Sequence, residues 1–372
     1  MYNLRLKMSN LRLLLVFCIC CLQVQAQSTP VKAHGQLSVK GNKIVDESGT
    51  PVVLNGMSLF WSQWFPQFWN EKALGWLVKD WKIQIVRAAM AVNRGGYVEN
   101  PAREKAKMVA VIKAAIKLGI YVIVDWHAET EDPQVSHAKT FFGEIAKEFG
   151  MFPNVLFEPF NEPGAGSWPA TKRYHETIVP VIRRYSKNIC ILGTATWSQD
   201  VDIAANDPVK GENLAYTLHF YAATHKQSYR DKANYALNKG IAIFVTEWGT
   251  CEASGHGSVD FNEANTWLNW AKQNKIGTAN WGVYDKQESC ASLPPGASGD
   301  GGWPASGLTE SGKFLRNFFR NGTGGGPAPK PDSGKGCCSW DGKKSCGDTT
   351  DWCNANQSQC EGDCHGGWIA QI

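Results

Sequence analysis

The sequence predicts an α/β protein whose main domain is a (β/α)8 TIM barrel, a closed ring of eight parallel strands with helices around it. Eight apolar, strand-like runs alternate with amphipathic helical patterns over roughly 280 residues, which is typical of this barrel. An open doubly wound sheet is the competing fold, but no Gly-x-Gly-x-x-Gly motif follows the first run. One of the runs ends in a glutamate and another is directly followed by one, and barrels of this class build their sites at the carboxyl ends of the strands.

The elements of the predicted barrel follow in chain order. A β-hairpin over residues 35–46, turning at Gly41-Asn42, opens the domain and is expected to close the bottom of the barrel. The predicted strands cover residues 52–58, 83–90, 121–127, 155–161, 189–196, 214–221, 242–247 and 277–284. Helical patterns cover residues 103–118, 138–149, 171–185, 229–238 and 261–273, with a last helix at 312–320. The domain is therefore assigned residues 34–320.

The first 26 residues have the pattern of a secretory signal peptide. Arg5, Lys7 and Arg12 form a basic start, residues 13–22 an apolar core, and residues 24–26 a small-residue cleavage site. The apolar run is too short to span a bilayer, so we expect a secreted protein without a membrane anchor. Cleavage removes three positive charges and lowers the net charge from +4 to +1, which excludes a strongly basic surface for nucleic acid.

The C-terminal end differs sharply in composition from the barrel. Residues 321–336 form a Gly/Pro-rich linker, and residues 337–372 hold six cysteines and three tryptophans. So short a unit needs cross-links, and export favours disulfides. We predict a disulfide-rich carbohydrate-binding module. The alternatives are a structural mini-domain, or a zinc knuckle that uses Cys360, Cys364 and His365.

Two glutamates are predicted to carry the chemistry. Glu162 follows the fourth strand in the segment Glu158-Pro159-Phe160-Asn161-Glu162, and Glu247 ends the seventh. Hydrolysis of a glycosidic bond needs one protonated carboxyl to assist the leaving oxygen and one ionised carboxylate to stabilise or trap the sugar cation. Glu158 lies deeper on the same strand, and we interpret it as a buried partner for a cation.

Other polar and aromatic groups stand at the remaining strand ends. They are Arg87, His127, Asn161, Trp197, His219, Tyr221, Trp281, Lys286 and Glu288. We expect Arg87 to keep Glu247 ionised and Tyr221 to orient it, while Asn161 bonds a sugar 2-hydroxyl. Burial and the second carboxylate are expected to raise the pKa of Glu162, which makes it the acid. No metal-ligand spacing occurs in the barrel, so no cofactor or metal is predicted.

These motifs resemble glycoside hydrolase family 5. The resemblance rests on residues 83–87, Asp125-Trp126-His127, Glu158-x-x-Asn161-Glu162-Pro163, His219-x-Tyr221 and Thr246-Glu247-Trp248-Gly249, and it covers residues 35–320. Residues 35–46 and Gly56-Met57-Ser58 resemble its endoglucanases of the bacterial and invertebrate type. The resemblance implies a retaining endo-β-1,4-glucanase, which is a cellulase acting on a polysaccharide. We expect the protein to be a monomer.

The resemblance also implies residue roles. Glu162 would be acid/base and Glu247 nucleophile. The cleavage subsite would be lined by Arg87, His127, Asn161, His219, Tyr221 and Trp281. Trp64, Lys286 and Glu288 would bind sugars on the non-reducing side, and Trp197 would stack a sugar past the cleavage point. Phe60 departs from the pattern, since relatives often carry a histidine there, and this affects the subsites on the non-reducing side.

Three further expectations concern cysteines and rival functions. Cys251 and Cys290 follow adjacent strand ends and are predicted to form a disulfide at the rim of the cleft, with two free thiols as the alternative. Cys190 is predicted to be a buried free thiol. The small Cys-rich tail resembles cellulose-binding modules of secreted cellulases. The rival substrates are β-mannan and mixed-linkage β-glucan, and the rival class is a non-catalytic sugar-binding barrel.

Overall fold

The computed structural model describes residues 28–129, 132–164 and 166–321, together with the backbone of residues 336–339 and 367–370. A short hairpin, β1 (Ser38–Lys40) and β2 (Lys43–Val45), precedes a closed parallel barrel. The barrel strands are β3 (Asn55–Leu59), β4 (Ile85–Ala91), β5 (Tyr121–His127), β6 (Val155–Glu158), β7 (Cys190–Leu192), β8 (Leu214–Tyr221), β9 (Ala242–Gly249) and β10 (Thr278–Val283). They neighbour one another in chain order, and β10 pairs with β3 to close the ring.

The helices pack outside this ring. They are α1 (Pro30–His34), α2 (Glu71–Trp76), α3 (Pro101–Leu118), α4 (Val135–Phe149), α5 (Trp168–Arg183), the short α6 (Ala195–Ser198) and α7 (Val201–Asn206), α8 (Gln227–Asn238), α9 (Phe261–Asn274) and α10 (Glu310–Asn321). The predicted (β/α)8 barrel is therefore confirmed. Helix α1 begins at Pro30, four residues before the predicted start of the domain at residue 34, and its Val31 N–H donates to the Gly119 carbonyl.

Alternation along one strand explains how the barrel is both packed and functional. On β5, Val122, Val124 and Trp126 face outward, and the Trp126 ring lies 5.3 Å from that of Phe141 on α4. Tyr121 and Ile123 face inward in the lower cluster, whereas Asp125 joins the polar network at the upper end. The inward face thus changes from apolar to polar toward the carboxyl end of the strand.

The hairpin closes the bottom of the barrel, as predicted. Leu37 and Ile44 pack in one buried cluster with the lower inward residues, including Ile85, Tyr121 and Phe244. The Tyr121 hydroxyl donates to the Gly35 carbonyl over 2.7 Å. Water is therefore kept from the lower end, and the polar groups of the barrel converge at the upper end only.

Two strands end earlier than the sequence predicts. Strand β6 ends at Glu158 because Pro159 has no N–H to continue the ladder. Strand β7 ends at Leu192. At the next residue, Gly193, an added Cβ would lie 2.1 Å from the Phe160 carbonyl oxygen, so only glycine fits there. Both early ends release loops that carry candidate site residues.

The predicted signal peptide, residues 1–26, lies outside the described residues, as do most of the predicted linker and tail. In the tail, β11 (Gly336–Ser339) pairs antiparallel with β12 (Gly367–Ala370), joining Cys337 to Ile369 in register. Within the described part of the chain, none of the helices combines the length and the apolarity needed to cross a bilayer.

Candidate active site

Arg87 on β4 is the centre of a buried ionic network at the upper end of the barrel. Its Nε donates to Glu158 Oε2 over 2.7 Å, and its Nη1 donates to Glu247 Oε2 over 2.9 Å. Its Nη2 donates to Asn161 Oδ1 over 2.6 Å and lies 3.0 Å from Asp125 Oδ2. The side chain is completely buried, and three carboxylates hold its pKa above the ordinary value although burial alone would lower it.

This geometry changes the predicted role of Arg87. Its five N–H groups face Glu158, Glu247, Asn161, the Ser58 hydroxyl and Asp125, so the buried guanidinium has no donor left for a sugar. The prediction that Arg87 contacts substrate therefore differs from its place in the structure, where it orients Glu247 and Asn161. The interpretation of Glu158 as a buried partner of a cation agrees with the geometry. Burial alone would raise the pKa of Glu158, and the charge of Arg87 lowers it overall.

Glu247 is held at both carboxylate oxygens. Tyr221 on β8 donates its hydroxyl to Oε1 over 2.7 Å, and Arg87 occupies Oε2. Burial and the Glu247 charge raise the pKa of Tyr221 well above its ordinary value, so the phenol stays a donor. Because Arg87 takes Asn161 Oδ1, the amide nitrogen of Asn161 is left to donate elsewhere. These are the contacts that the sequence predicts for Glu247.

A bulge in β9 brings Glu247 to this position. Strand β8 pairs Thr217 with Phe244 and then His219 with Glu247, so three residue steps on β9 match two on β8. The other neighbour shows the same shift, since Thr278 pairs with Val245 and Asn280 with Trp248. A bulge of this kind breaks the two-residue alternation. Thr246 and Glu247, although adjacent, both contact site residues.

Glu162 lies in the loop after β6 and pairs with His219. The Nδ1 atom of His219 lies 2.8 Å from Glu162 Oε1, and its Nε2 lies 2.9 Å from the hydroxyl oxygen of Thr246. Burial raises the pKa of Glu162 overall, the contact with His219 works against this, and the nearby Glu247 charge raises it further. Burial alone would lower the pKa of His219, but Glu158, Glu162 and Glu247 raise it to about 9. Glu162 and Glu247 have carboxylate oxygens within 4.8 Å of each other.

His127 is clamped between two aromatic rings. It stacks on Trp281 with ring centroids 5.1 Å apart, and the Trp61 ring meets it edge-on at 4.3 Å. Its Nδ1 lies 2.7 Å from Asp125 Oδ2. Burial, followed by the charges of Arg87 and His219, holds the pKa of His127 well below the ordinary value, so the ring is neutral. Burial raises the pKa of Asp125 against the lowering effect of Arg87.

One flank of the site carries Trp64, Lys286 and Glu288. Trp64 is about half exposed at 48%, and Lys286 forms an ion pair with Glu288. Phe60, the residue that departs from the family pattern, packs between the rings of Trp281 and Tyr284 at 4.8 Å and 4.2 Å. An aromatic wall therefore replaces a polar group on this side.

The predicted disulfide stands on the same rim. Cys251, after β9, is bonded to Cys290 in the loop that carries Glu288. Among the described residues, Cys190 is the free cysteine and is buried, as predicted. Burial raises the pKa of its thiol to about 11, so it stays protonated at neutral pH. The disulfide ties the loop of Lys286 and Glu288 to the strand of Glu247.

Trp197 lies on the other flank, in a left-handed turn. Thr196, Trp197 and Ser198 have φ values of 56°, 53° and 57°, which side-chain-bearing residues rarely adopt. The turn is held against the acid loop, because Trp197 N–H donates to the Pro163 carbonyl and the Ser198 hydroxyl donates to the Asn161 carbonyl. Trp197 is 41% exposed. Strained backbone of this kind is common where a side chain must be presented for function.

The flanking tryptophans lie across the barrel mouth from each other. Trp64 is in the loop after β3, and Trp197 is in the loop after β7. In the closed order, three strands lie between β3 and β7 in either direction, so the two loops are diametrically opposed. The carboxylate pair at β6 and β9 lies on strand ends between them. A long chain molecule laid across the mouth would meet one tryptophan at each end.

Within the described part of the chain, one trio could approach a metal ion. Glu162, His219 and Glu247 each offer a ligand atom within 4.8 Å of the others. These atoms already have hydrogen-bond partners in the protein. His219 Nδ1 pairs with Glu162, and Glu247 accepts from Arg87 and Tyr221. We assign no metal to them, and the site's chemistry is that of paired carboxylic acids.

Sequence reasoning missed several residues of this site. Trp61 clamps His127, Ser198 ties the Trp197 turn to Asn161, and Thr246 and Thr217 contact each other beside His219. Strand periodicity assigns Thr246 to the face opposite Glu247, and the bulge that reverses this has no clear sequence signal. The one sequence signal for this pair is that Thr246 directly precedes Glu247, a glutamate at a predicted strand end.

A (β/α)8 barrel with paired glutamates at the carboxyl ends of its strands is a glycoside hydrolase by fold and site. The family model for cellulase, glycosyl hydrolase family 5, matches residues 45–287, and the chain belongs to this family. The match includes all the barrel strands and both glutamates.

Relatives agree with this assignment. The chain is 44% identical over 298 residues to an endoglucanase of Clostridium saccharobutylicum, covering 78% of this chain and 66% of that protein. It is 46% identical over 279 residues to endoglucanase A of Evansella cellulosilytica, covering 73% and 57%. The chain thus spans somewhat under two thirds of the length of these two relatives.

Solved structures give the same result. One from Cytophaga hutchinsonii has 46% identity and a TM-score of 0.78, covering 79% of this chain and 97% of that one. The catalytic domain of a Thermobifida fusca endoglucanase, solved with cellotetraose, has 36% identity and a TM-score of 0.75, covering 78% and 99%.

Proposed function

We propose that the protein is a secreted endo-β-1,4-glucanase that hydrolyses internal bonds of cellulose and related β-glucans with retention of configuration. The observation that carries the proposal is the spacing of Glu162 and Glu247, since one carboxylate oxygen of each lies within 4.8 Å of the other. Retaining enzymes hold their carboxyl groups about 5–5.5 Å apart, whereas inverting enzymes need about 6.5–9.5 Å for a water. The endoglucanase relatives support the activity.

In the first step, Glu247 attacks the anomeric carbon and Glu162 protonates the leaving oxygen. Arg87 and Tyr221 hold the two oxygens of Glu247, which keeps the nucleophile ionised and fixes its angle. The raised pKa of Glu162 keeps a proton on it above the ordinary carboxyl range. Glu247 is then bonded to the sugar, and the shortened chain leaves with the proton of Glu162.

In the second step, Glu162 acts as a base. It removes a proton from water, the water oxygen attacks the anomeric carbon, and Glu247 leaves as a carboxylate. The charge lost from Glu247 on glycosylation lowers the pKa of Glu162, because the neighbouring carboxylate was raising it. One residue can therefore serve as acid and then as base.

Attack within a chain, rather than at its end, is supported by the two opposed tryptophans. Exposed Trp64 and Trp197 offer flat apolar rings on opposite sides of the carboxylate pair. Such rings suit the C–H faces of pyranose sugars. A sugar chain bound on both sides of the cleaved bond is what an endo-acting enzyme needs.

The substrate proposal is tested by measuring reducing ends released from soluble cellulose derivatives, β-mannan and mixed-linkage β-glucan. We expect the highest kcat/KM on β-1,4-glucans. A clear preference for mannan would contradict the substrate assignment and leave the reaction type standing. Absence of any product, with retained sugar binding, would favour the non-catalytic binding barrel.

Retention is tested by NMR of freshly released product from a soluble β-1,4-glucan. We expect the β-anomer first, followed by slow mutarotation, and no product from Glu247→Ala. Initial appearance of the α-anomer would mean inversion and would overturn the nucleophile role of Glu247.

We also propose that residues 337–372 bind crystalline cellulose and raise the local concentration of the enzyme on it. The sequence supports this through three tryptophans in a short Cys-rich segment beyond a linker. In the full chain, replacing Trp340, Trp352 and Trp368 together with alanine should weaken binding to crystalline cellulose and leave hydrolysis of soluble glucan nearly unchanged. Equal binding by the wild type and the triple variant would contradict this proposal.

A further inference from the structure

Two buried threonines connect His219 to the deep carboxylate Glu158. The Thr246 hydroxyl oxygen lies 2.9 Å from His219 Nε2 and donates to Glu158 Oε1 over 2.6 Å. Thr217, on the neighbouring strand, has its hydroxyl 2.5 Å from that of Thr246 and accepts the Thr246 backbone N–H. Both threonines are completely buried.

Counting protons fixes the direction of each hydrogen bond. Glu158 is ionised beside Arg87 and can only accept, so the single hydroxyl hydrogen of Thr246 points to Glu158. Because that hydrogen is used on Glu158, Thr217 must be the donor in the 2.5 Å contact between the two hydroxyls, and the Thr217 oxygen accepts from the Thr246 backbone N–H. The Thr246 oxygen therefore faces His219 as an acceptor, and His219 Nε2 must carry a hydrogen.

The other nitrogen of His219 faces Glu162. With Nε2–H committed to Thr246, a second proton on Nδ1 can be donated to Glu162 Oε1 over 2.8 Å. Both ring nitrogens then have an acceptor, which is the condition that favours imidazolium over imidazole. When Oε1 of Glu162 accepts from His219, the acidic proton of Glu162 sits on Oε2.

We propose that Thr246, with its hydroxyl oriented by Thr217, is a positioning residue that keeps His219 doubly protonated and so directs the acidic proton of Glu162 to Oε2. This inference rests on the proposed role of Glu162 as acid. Neither threonine touches substrate. Their effect reaches the reaction through His219, and it explains why a histidine buried to 1% exposure holds a charge.

Several charged and titratable groups surround His219. Glu158, Glu162 and Glu247 act on it directly, and their negative charges favour the imidazolium. His127 and His225 are near enough for its charge to lower their own pKa values. Arg87 faces the same carboxylates and opposes a second cation. The acceptor supplied by Thr246 stabilises the imidazolium form of His219 and so offsets the destabilising effects of burial and of repulsion by Arg87.

The test is the pKa of His219, read by long-range ¹H–¹⁵N NMR of the intact protein, with the signal assigned by its loss in His219→Gln. We expect imidazolium at pH 7 in the wild type. Thr246→Val keeps the shape of the side chain but removes the hydroxyl, and the pKa should fall by about one unit or more. Thr246→Ser should restore the wild-type value, and Thr217→Val should give a smaller fall.

A matched control separates this effect from general damage to β9. Thr250 is also buried and directly follows β9, but its hydroxyl pairs with Ser311 and not with His219. Thr250→Val should leave the pKa of His219 unchanged. An unchanged pKa in a folded Thr246→Val variant, or a wild-type His219 that is neutral at pH 7, would overturn the inference.

Kinetics provide the second readout. In Thr246→Val the alkaline limb of the kcat/KM profile on β-glucan should move to higher pH, because a neutral His219 no longer lowers the pKa of Glu162. An aryl cellobioside with a good leaving group should show no such shift, because its first step needs little acid assistance. If both substrates shift equally, the threonine is not acting through Glu162. If the wild type cleaves no glucan, the proposed function fails, while the NMR titration still tests the hydrogen-bond relay.

Discussion

Tyr221 donates its phenolic hydrogen to Oε1 of Glu247 across 2.7 Å, from one barrel strand to the next. Arg87 holds the other oxygen at 2.9 Å, so the carboxylate is fixed at both ends before any sugar arrives. A preorganised nucleophile needs no reorientation during the reaction, which is a main source of catalytic power in such sites. The predictions below follow from this arrangement.

Glu247→Gln should abolish turnover and leave sugar binding. The amide is nearly isosteric but cannot form the glycosyl ester, so kcat should fall by about 10⁴-fold or more. Reducing-end assays give kcat, and calorimetry gives the affinity for cellotetraose. Glu144→Gln, at an exposed glutamate paired with Lys105, is the control and should be indistinguishable from the wild type. Residual turnover within tenfold of the wild type would remove Glu247 from the mechanism.

Glu162→Gln should show a loss that depends on the leaving group. On ordinary glucans kcat should fall by about 10²- to 10⁴-fold, because the leaving oxygen is no longer protonated. The first step with an activated aryl cellobioside should be nearly unchanged, which a pre-steady-state burst of phenol would reveal. Wild-type hydrolysis of soluble cellulose by this variant would contradict the acid assignment.

The pH profile should carry the signature of the same residue. Burial and Glu247 raise the pKa of Glu162, so its acid form persists above the ordinary carboxyl range and is lost as pH rises through the raised pKa. We therefore expect kcat/KM on glucan to fall on the alkaline side, and this limb should disappear in Glu162→Gln. A limb that survives in the variant must come from another group.

The opposed tryptophans should separate the two sides of the cleft. Trp197→Ala should raise the KM for cellopentaose about three- to tenfold. It should have little effect on the KM for an aryl cellobioside, which lacks sugars past the cleaved bond. Trp64→Ala should do the reverse and weaken the substrates that extend on the non-reducing side. Each variant serves as the control for the other, and identical patterns would mean that the two rings do not lie on opposite sides of the bound chain.

Arg87→Met should destabilise the fold as well as the site. Three buried carboxylates would lose their cation, and breaking such a network costs about 3–5 kcal/mol of unfolding free energy. Urea unfolding followed by tryptophan fluorescence measures it. Arg173→Met, on the exposed face of α5, should change the free energy by no more than about 0.5 kcal/mol. A neutral effect of Arg87→Met would mean that the carboxylates compensate by protonation.

His175 should make the fold acid-sensitive. It is fully buried on α5, its Nε2–H donates to the Gly193 carbonyl, and burial lowers its pKa from 6.5 to about 4. The folded state therefore binds fewer protons than the unfolded one, so this contribution is complete above pH 6.5 and is lost as pH falls toward 4. The loss amounts to about 3 kcal/mol at most. His175→Gln should flatten the unfolding free energy over this window, and an unchanged slope would assign it to other groups.

Much of this protein could be predicted from its sequence. The alternation of apolar runs and helical patterns predicted the barrel, and the hairpin that closes its lower end was found from its turn residues. The rim disulfide between Cys251 and Cys290 followed from their places after adjacent strand ends. These features depend on local pattern and chain order, which a sequence displays directly.

The tertiary structure determined which atoms of the site form hydrogen bonds and ion pairs with one another. Three features depend on distances between strands and loops that are far apart in the chain. They are the use of every Arg87 donor, the left-handed turn at Trp197 and the position of the Thr246 hydroxyl beside His219. The bulge in β9 is the clearest case, because it turns two adjacent residues toward one site against the two-residue period of a strand. Sequence specifies which groups reach the end of the barrel; the register between neighbouring strands determines which atoms meet there, since a shift of one residue reverses the face that a side chain occupies.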